Sequence, residues 1–196
     1  MKIFLARHGQ SIFNAQYRFS GQGNTRLTKL GKQQAESIAN FFSKKNIQAI
    51  FFSDLSRASV TAHIVAKKIS PKPKLFKEKG LREGKFGDWE GKKPSELTGK
   101  NALLEKKWRK NHFRTRPQKG ESFSDLEKRL KLVLKKILSF KFKNFLIVSH
   151  SGTTIILLKL ILGWRQKKAL ETIVENTSIF EITITGSKRK FRKIIC

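Results

Sequence analysis

Short apolar runs alternate along the chain with longer segments in which apolar residues recur at helical spacing. Three of the short runs, at residues 3–6, 49–52 and 145–148, are predicted to be buried β-strands, and the third is the clearest of them. Strands that alternate with helical segments are typical of α/β proteins, in which neighbouring strands run parallel. The pattern therefore predicts an α/β fold.

Two helical segments carry recognisable start signals. Residues 28–45 place their apolar side chains close to one helical stripe, and Thr28 at the beginning is a good N-cap residue. Residues 55–68 repeat the pattern directly after Asp54, which we interpret as the N-cap of that helix. Both segments are predicted to be helices that pack against the sheet.

The second half of the chain gives one more helix and a hairpin. Residues 122–125 resemble a capping box with Asp in place of Glu, and they predict a helix from there to about Phe140. Near the end, residues 179–184 alternate between apolar and polar, Gly186 marks a turn, and residues 191–195 are predicted to return as an edge strand.

The segment at about 92–119 fits the alternation least well. It is polar, carries Trp108 and lies between sheet elements, so we predict a mainly helical, lid-like insertion over one end of the sheet. No repeat or low-complexity linker interrupts the sequence. Residues 1–196 are therefore predicted to form a single domain with this one insertion.

The chain has a large excess of positive charge, which bears on its partners. It carries 43 Lys and Arg against 14 Asp and Glu, a formal net charge of +29. This excess favours anionic partners, among them nucleic acid, membrane surfaces and phosphorylated or carboxylated small molecules, without choosing between them. It is equally consistent with a lysine-rich solvated surface, because blocks of like charge usually mark solvated faces.

Cysteine usage and hydropathy predict a cytoplasmic protein. The single cysteine is Cys196, so neither an intrachain disulfide nor a cysteine-based metal site is expected, which fits a reducing compartment. The apolar run before Arg7 is too short for a signal peptide. Residues 155–162 fall well short of the roughly 20 that span a bilayer, so we interpret them as a core helix and expect no membrane partner.

Polar side chains stand where each of the three predicted strands ends: Arg7 and His8 after the first, Asp54 and Arg57 after the second, and His150 after the third. Ligands of open α/β sheets bind beyond the carboxyl ends of the strands, and helix N-termini there favour anions. Each residue alone could be structural. Their repetition at equivalent positions predicts an anion site.

Four motifs occur in order along the chain: Arg7-His8-Gly9-Gln10-Ser11 with Asn14, Ser53-Asp54-Leu55-Ser56-Arg57-Ala58 with Thr61-Ala62, Leu81-Arg82-Glu83 with Phe86-Gly87-Asp88-Trp89-Glu90-Gly91, and Val148-Ser149-His150-Ser151-Gly152. Together they resemble the signature of the histidine phosphatase superfamily, also called phosphoglycerate mutase-like. The resemblance extends from Met1 to about Ile184. It implies a three-layer α/β/α fold with a mostly parallel central sheet.

The resemblance also implies catalytic roles. His8 would attack phosphorus and become a phosphohistidine, while Arg7 and Arg57 clamp the phosphoryl oxygens. His150 would donate a further hydrogen bond to the transferring group. Glu83 would protonate the leaving alkoxide and then activate water.

The resemblance also implies which residues bind the substrate, and it implies that no metal or cofactor takes part. The expected substrate-binding residues are Asn14, Ser20, Gly21 and Ser151. No metal and no cofactor is required, because fixed cations would neutralise the phosphoryl charge.

Other polar and aromatic residues near these motifs have competing interpretations. Glu90 and Glu121 could line the entrance, or could be surface residues that bond to loops. Trp89 could cover the pocket mouth or belong to the core. His63 and His112 are interpreted as structural.

The residues around the proposed acid favour a phosphatase over a mutase. Phosphoglycerate mutases of the superfamily read Glu-Arg-His-Tyr-Gly in outline here, whereas residues 83–87 have neither that Arg nor that His. Residues 86–91 and 18–21 are similar instead to small bacterial phosphatases, including alpha-ribazole phosphatase. We therefore expect a phosphomonoesterase, a monomer or homodimer, with alpha-ribazole 5′-phosphate as one candidate substrate.

Two alternatives remain open at this point. One is phosphoglycerate mutase activity. The other is a basic nucleic-acid-binding or scaffold protein on the same fold, which the net charge of +29 motivates. Aromatic residues interleaved with basic ones on an exposed strand face, as a nucleic-acid stacking platform requires, are not evident, so no specific nucleic acid is expected as a partner.

Overall fold

Strands and helices alternate along residues 1–194, the part of the chain that the computed structural model describes. The strands are β1 (Lys2–Arg7), β2 (Ala49–Phe52), β3 (Lys74–Lys77), β4 (Asn144–Ser149), β5 (Ile179–Thr185) and β6 (Lys188–Ile194). The helices are α1 (Ile12–Ala15), α2 (Lys29–Phe42), α3 (Ser56–Lys68), α4 (Gly99–Lys110), α5 (Phe123–Ser139), α6 (Ser151–Leu162) and α7 (Gln166–Leu170). Short 3-10 helices lie at Lys79–Leu81, Gly87–Trp89 and Pro94–Glu96.

The strands form one mixed sheet in the order β3-β2-β4-β1-β5-β6. The first four strands run parallel, whereas β5 is antiparallel to β1 and β6 is antiparallel to β5. The register pairs Arg7 of β1 with Ser149 of β4, and Phe52 of β2 with Val148 of β4. The carboxyl ends of β1, β2 and β4 therefore meet at one edge of the sheet.

The sheet has a separate hydrophobic core on each face, because successive side chains of a strand point to opposite sides. Ile3 and Leu5 of β1 pack with α5 and α6, whereas Phe4 and Ala6 pack with α2 and α3. Helices therefore cover both faces of the sheet. The predicted three-layer α/β/α fold with a mostly parallel sheet is confirmed.

Most of the predicted elements lie close to the observed ones. All three predicted strands fall within β1, β2 and β4, and the terminal hairpin is formed by β5 and β6. Thr28 caps α2, and Ser122 opens α5 with a capping box. Residues 155–162 lie in α6, whose inner face is buried in the core. The predicted strand end at Ile195 and the expectation for Cys196 lie outside the described residues.

The interpretation of Asp54 as a helix cap is wrong. The N-cap of α3 is Leu55, which makes no side-chain capping bond. The Asp54 carboxylate instead accepts two hydrogen bonds from the Arg82 guanidinium, at 2.7 and 2.6 Å. A bidentate charge-assisted pair is stronger than a single bond from a backbone amide, so the guanidinium holds this carboxylate.

The segment at 92–119 contains the 3-10 helix Pro94–Glu96 and α4, in agreement with the helical prediction. Trp108 of α4 packs edge-on against Phe86, with ring centroids 5.3 Å apart. Its action as a lid, and the single-domain organisation, stay predictions. Within residues 1–194, no helix has both the length and the apolar character that crossing a membrane demands.

Candidate active site

His8 lies at the carboxyl end of β1 and is only 2% exposed. Its Nδ1 is 2.6 Å from the carbonyl oxygen of Gly9, which can only accept, so Nδ1 carries the proton. Its Nε2 therefore has a free lone pair, and it accepts a hydrogen bond of 3.1 Å from Nε of Arg57. Burial and the charges of Arg57 and Arg7 hold the pKa of His8 well below its ordinary value, so the ring is neutral.

Arg57 lies in the first turn of α3 and is completely buried. Its two terminal nitrogens donate to the carbonyl oxygens of Gly23 and Gly21, each at 2.7 Å. Burial lowers the pKa of Arg57 to about 10, so the guanidinium is still a cation at neutral pH. The side chain thus fixes the 21–23 loop and places a positive charge against the unprotonated nitrogen of His8.

Arg7 is the last residue of β1 and lines the cavity described below. Its Nη1 donates to the carbonyl oxygen of Val174 at 2.7 Å, while its buried Nε has no partner among residues 1–194. Burial lowers the pKa of Arg7, and the nearby carboxylates of Glu83 and Glu175 oppose that shift. A buried cationic N–H without a partner is costly, and a bound anion would satisfy it.

His150 follows β4, caps α6 and is 1% exposed. Its ring stands edge-on to that of His8, with centroids 5.0 Å apart. Ser53 Oγ accepts from the Leu55 amide at 3.3 Å and lies 2.9 Å from Nε2 of His150, so its O–H is free to donate to that nitrogen. The neutral ring then carries its proton on Nδ1.

That Nδ1 of His150 is buried and has no partner within the described residues. Burial first, and the charge of Arg57 second, hold the pKa of His150 well below its ordinary value. The two histidines are therefore both neutral but present opposite functions. His8 offers a lone pair, whereas His150 offers an N–H donor.

Glu83 lies against the N-terminus of α6, where backbone amides and the helix dipole favour a negative charge. Its Oε2 accepts from the amide of Gly152, and its Oε1 accepts from the amides of Thr153 and Gly84, each at 3.0 Å. A Cβ at Gly152 would lie 2.8 Å from Oε1, so this approach requires the glycine. The carboxylate is thus tied to the helix that His150 caps.

All four of the expected substrate-binding residues line one cavity: Asn14, Ser20, Gly21 and Ser151. Asn14 is itself held by the Ser11 amide at 3.1 Å. The sequence reasoning did not identify Asn176, whose amide group donates to the backbone oxygen of His8 at 3.0 Å and to Oδ1 of Asn14 at 3.3 Å. A single Asn in a loop carries no sequence signal that separates it from other turn residues.

The cavity has a volume of about 370 Å³ and an aromatic wall. The lining residues that share this apolar or aromatic character are Phe19, Phe86, Trp108, Phe123, Ile155 and Leu170. The lining also includes Arg7 and Glu83, whereas His8, Arg57 and His150 are not part of it. The cavity is therefore a largely apolar chamber, large enough for part of a small molecule, that meets the candidate site at Arg7 and Glu83.

Four more residues that the sequence singled out have defined surroundings. His112 lines the cavity and packs on Trp108 with centroids 4.3 Å apart, and its interpretation as structural stays a prediction. Glu121 also lines the cavity, whereas Glu90 bonds to loop amides. Trp89 is fully buried in the core.

His63 is exposed on α3, and its Nδ1 faces its own helix at the carbonyl oxygen of Ser59, 2.7 Å away. Within residues 1–194, no three or more His, Cys, Asp or Glu side chains are grouped so that they could hold a metal ion.

Comparison with known proteins gives the family. The model of the histidine phosphatase superfamily (branch 1) matches residues 3–196. The chain therefore belongs to the histidine phosphatase superfamily. This result agrees with the four motifs and with the pairing of two arginines and two histidines at the strand ends.

Two relatives and one solved structure illustrate the similarity. The chain is 30% identical over 187 residues to "Putative phosphoserine phosphatase 2" of Hydrogenobacter thermophilus, covering 95% of this chain and 91% of the relative. It is 33% identical over 168 residues to "Probable phosphoglycerate mutase GpmB" of Photorhabdus laumondii, covering 83% and 75%. The alpha-ribazole phosphatase of Shigella flexneri superposes with a TM-score of 0.89 at 25% identity, covering 98% of this chain and 95% of that structure.

Proposed function

We propose that this protein is a metal-independent phosphomonoesterase that forms a phosphohistidine on His8 and acts on a small phosphorylated metabolite. The observation that carries the proposal is the buried, neutral His8, whose unprotonated Nε2 faces Arg57. A nucleophile must keep its lone pair, and the low pKa of His8 ensures this throughout the physiological range.

In the first half-reaction, Nε2 of His8 forms a bond to phosphorus while the bond from phosphorus to the ester oxygen breaks. The departing oxygen takes a proton from the Glu83 carboxyl and leaves as an alcohol. The ring of His8 gains positive charge, which its Nδ1–H bond to the Gly9 carbonyl stabilises. Arg57 moves its hydrogen bond from Nε2 to a phosphoryl oxygen as the new bond forms.

Three donors are available to the oxygens of the transferring group. Arg7 has an unpartnered Nε, and His150 has an unpartnered Nδ1, counted over residues 1–194. Arg57 supplies the third. Donors that are already in place for the charge of the transition state need not reorganise. Such preorganised electrostatic stabilisation is the largest single source of rate enhancement in many enzymes.

In the second half-reaction, water attacks the phosphohistidine and gives its proton to the Glu83 carboxylate. The bond from phosphorus to Nε2 breaks, inorganic phosphate leaves, and His8 is again neutral. Within the described chain, Oε2 of Glu83 accepts from one backbone amide while Oε1 accepts from two, so Oε2 has more room to take this proton. Asn14, Ser20, Gly21 and Ser151 would hold the substrate.

The apolar chamber supports a leaving alcohol with an apolar or planar part. Phe19, Phe86 and Trp108 offer ring faces and edges, a poor environment for the second anionic group of a bisphosphate. This favours hydrolysis over phosphoglycerate mutase activity. Alpha-ribazole 5′-phosphate, which carries a planar base, is a candidate of the required kind.

The proposal is tested by steady-state hydrolysis in the presence of EDTA. The panel contains p-nitrophenyl phosphate, alpha-ribazole 5′-phosphate, phosphoserine, 3-phosphoglycerate, sugar phosphates and nucleotides. We expect metal-independent turnover, highest kcat/KM for esters with a planar apolar part, and its loss in His8→Ala but not in the matched control His63→Ala. Strict dependence on a divalent metal, or unchanged activity of His8→Ala, would refute the proposal.

A further inference from the structure

We propose that Arg129 of α5 is a positioning residue that holds the backbone carrying Glu83 in the geometry for proton transfer. The inference rests on the role proposed for Glu83. Arg129 is far along the chain from all four motifs, and its guanidinium nevertheless donates to the acid segment at several points. Its side chain is 23% exposed, so it is only partly solvated.

The first contact set joins Arg129 to three carbonyl oxygens of one short segment. Nη1 donates to the oxygens of Gly80 at 2.6 Å and Arg82 at 3.0 Å. Nη2 donates to the oxygen of Glu83 itself at 3.2 Å. A planar guanidinium with five fixed donors can bind several carbonyls at once, whereas a lysine ammonium is a compact charge on a flexible stem.

The second contact set fixes the orientation of the guanidinium. Nε and Nη2 of Arg129 donate to the two carboxylate oxygens of Glu121, at 3.1 and 2.8 Å. Oε2 of Glu121 also accepts from the amide of Lys85 at 2.9 Å. The Arg129–Glu121 pair therefore forms hydrogen bonds to the backbone on both sides of Gly84.

The backbone next to Glu83 needs a restraint because residue 84 is a glycine. Glycine has more backbone freedom than any other residue, and a Cβ at this position would meet only Leu126, at an ordinary 3.5 Å. No side chain of residue 84 therefore packs to restrain the chain next to Glu83. The carboxylate end of Glu83 is held by α6, and Arg129 supplies the restraint at its backbone end.

Thr153 and Gln22 also donate to carbonyl oxygens of this segment, but each makes fewer such contacts than Arg129. The Thr153 hydroxyl donates to the Arg82 oxygen at 3.0 Å, and the Gln22 amide donates to the Glu83 oxygen at 3.2 Å. Among residues 1–194, Arg129 alone reaches three carbonyls of the segment. A displacement of a reacting group by about 1 Å can cost a hundredfold in rate, so the loss of this restraint should be visible in the chemical step.

The test compares Arg129→Met with Arg129→Lys and with a matched control, Arg116→Met. Arg116 also pairs bidentately with a carboxylate, Asp125 in the first turn of α5, at 3.0 and 2.9 Å. It donates to no carbonyl of the acid segment within residues 1–194. Each variant is assayed with an alkyl phosphate, whose leaving group needs a proton, and with p-nitrophenyl phosphate, whose leaving group does not.

We expect Arg129→Met to lower kcat/KM, which reports the first half-reaction, by about 10- to 100-fold for the alkyl phosphate, with a smaller loss for p-nitrophenyl phosphate. Arg129→Lys should recover part of the loss, and Arg116→Met should behave like the wild type. In a Glu83→Gln background, Arg129→Met should cause almost no further loss for the alkyl phosphate, because both changes remove the same function.

Equal losses of kcat/KM for the two esters, or a full additional loss in the Glu83→Gln background, would overturn the inference, since Arg129 would then act on the fold and not through Glu83. If Arg129→Met does not fold, the same comparison is made with Arg129→Lys. If Glu83→Gln itself shows no preference between leaving groups, the assignment of the acid fails, and the role of Arg129 fails with it. If only the inference about Arg129 fails, Glu83→Gln still loses more activity with the alkyl phosphate than with p-nitrophenyl phosphate.

Discussion

The two histidines of the site differ in which ring nitrogen bonds to a residue outside the proposed catalytic set. The Gly9 carbonyl accepts from Nδ1 of His8, so Nε2 carries the lone pair, which accepts from Arg57. Ser53 Oγ lies 2.9 Å from Nε2 of His150, and with its O–H directed to that nitrogen the ring carries its proton on Nδ1. These contacts suit His8 to the proposed role of nucleophile and His150 to that of donor.

Gly9 also fixes how closely β1 approaches α2. A Cβ on Gly9 would overlap the backbone carbonyl group of Gly31, and backbone cannot move aside as a flexible side chain can. We expect Gly9→Ala to lower the free energy of unfolding by about 1–3 kcal/mol, the usual cost of overpacking. Urea unfolding measures the change.

Gly84→Ala is the control for this substitution, because a Cβ there has an ordinary contact distance of 3.5 Å to Leu126. Its free energy of unfolding should stay within about 0.5 kcal/mol of the wild type. Comparable destabilisation of both variants would show that the tight β1–α2 contact is not the reason for glycine at position 9.

At the residue scale, the sequence predicted the proposed catalytic set but not its support. Arg7, His8, Arg57 and His150 end or follow strands or begin helices, and these positions mark a site. Ser53 also follows a strand, but its contact with His150 depends on the fold. Arg129 occupies no such position. The chain has 43 Lys and Arg, so one arginine in a long amphipathic helix carries no distinguishing signal until the fold brings it to the acid segment.

The N-terminus of α6 combines two tasks within one turn. His150 is its N-cap, and the amides of Gly152 and Thr153 hold the Glu83 carboxylate. The first amides of any helix lack intrahelical partners, so they are available for such bonds. One element therefore sets the distance between the donor histidine and the proposed acid.

The helix α4 contributes Trp108 to the aromatic wall of the cavity. We expect Trp108→Leu to raise KM for planar aromatic phosphates by about 5- to 10-fold, equivalent to ~1–1.4 kcal/mol of lost contact. Inhibition by inorganic phosphate should be unchanged, since we propose that Arg7 and Arg57 hold the phosphate. Steady-state kinetics measures both quantities.

Leu103→Ala is the matched control, because Leu103 lies on the same helix but is 63% exposed. It should leave both KM and phosphate inhibition near the wild-type values. A rise in the inhibition constant of phosphate in Trp108→Leu would mean that α4 supports the phosphate site itself, which would contradict a role confined to the leaving group.

Element prediction succeeded where burial is encoded locally and failed where it is not. The strands β1, β2 and β4 are buried runs of apolar residues, so periodicity finds them. The strand β3 has four residues, mostly exposed, and exists because it pairs with β2 at the sheet edge. That pairing is a tertiary contact, which no local pattern records.

For the whole molecule, the buried histidines couple stability to pH. The pKa values of His8, His150 and His112 all lie below the ordinary value of 6.5, with burial as the first cause. The unfolded chain therefore binds more protons than the folded chain as the pH falls below about 6.5. Stability is fully present above that pH and is lost below it.

We expect the free energy of unfolding to decrease between pH 7 and pH 5 by up to about 1.4 kcal/mol per pH unit for each such histidine. Asp54 and Asp125 have lowered pKa values and lose their contribution only at lower pH, nearer the ordinary value of 3.8. Urea unfolding across this range checks the slope. Stability that is constant or rises on acidification would contradict buried neutral histidines.

Formation of a phosphohistidine on His8 is the central claim, and one measurement tests it most directly. Glu83→Gln is mixed with p-nitrophenyl phosphate in EDTA, because this ester needs no acid to depart while the phosphoenzyme needs the Glu83 carboxylate for its hydrolysis. We predict a burst of p-nitrophenol and a phosphoryl group on His8, labile in acid and stable in alkali. A phosphoryl group on another residue, or an equal burst when His8→Ala is added to this variant, would contradict the account.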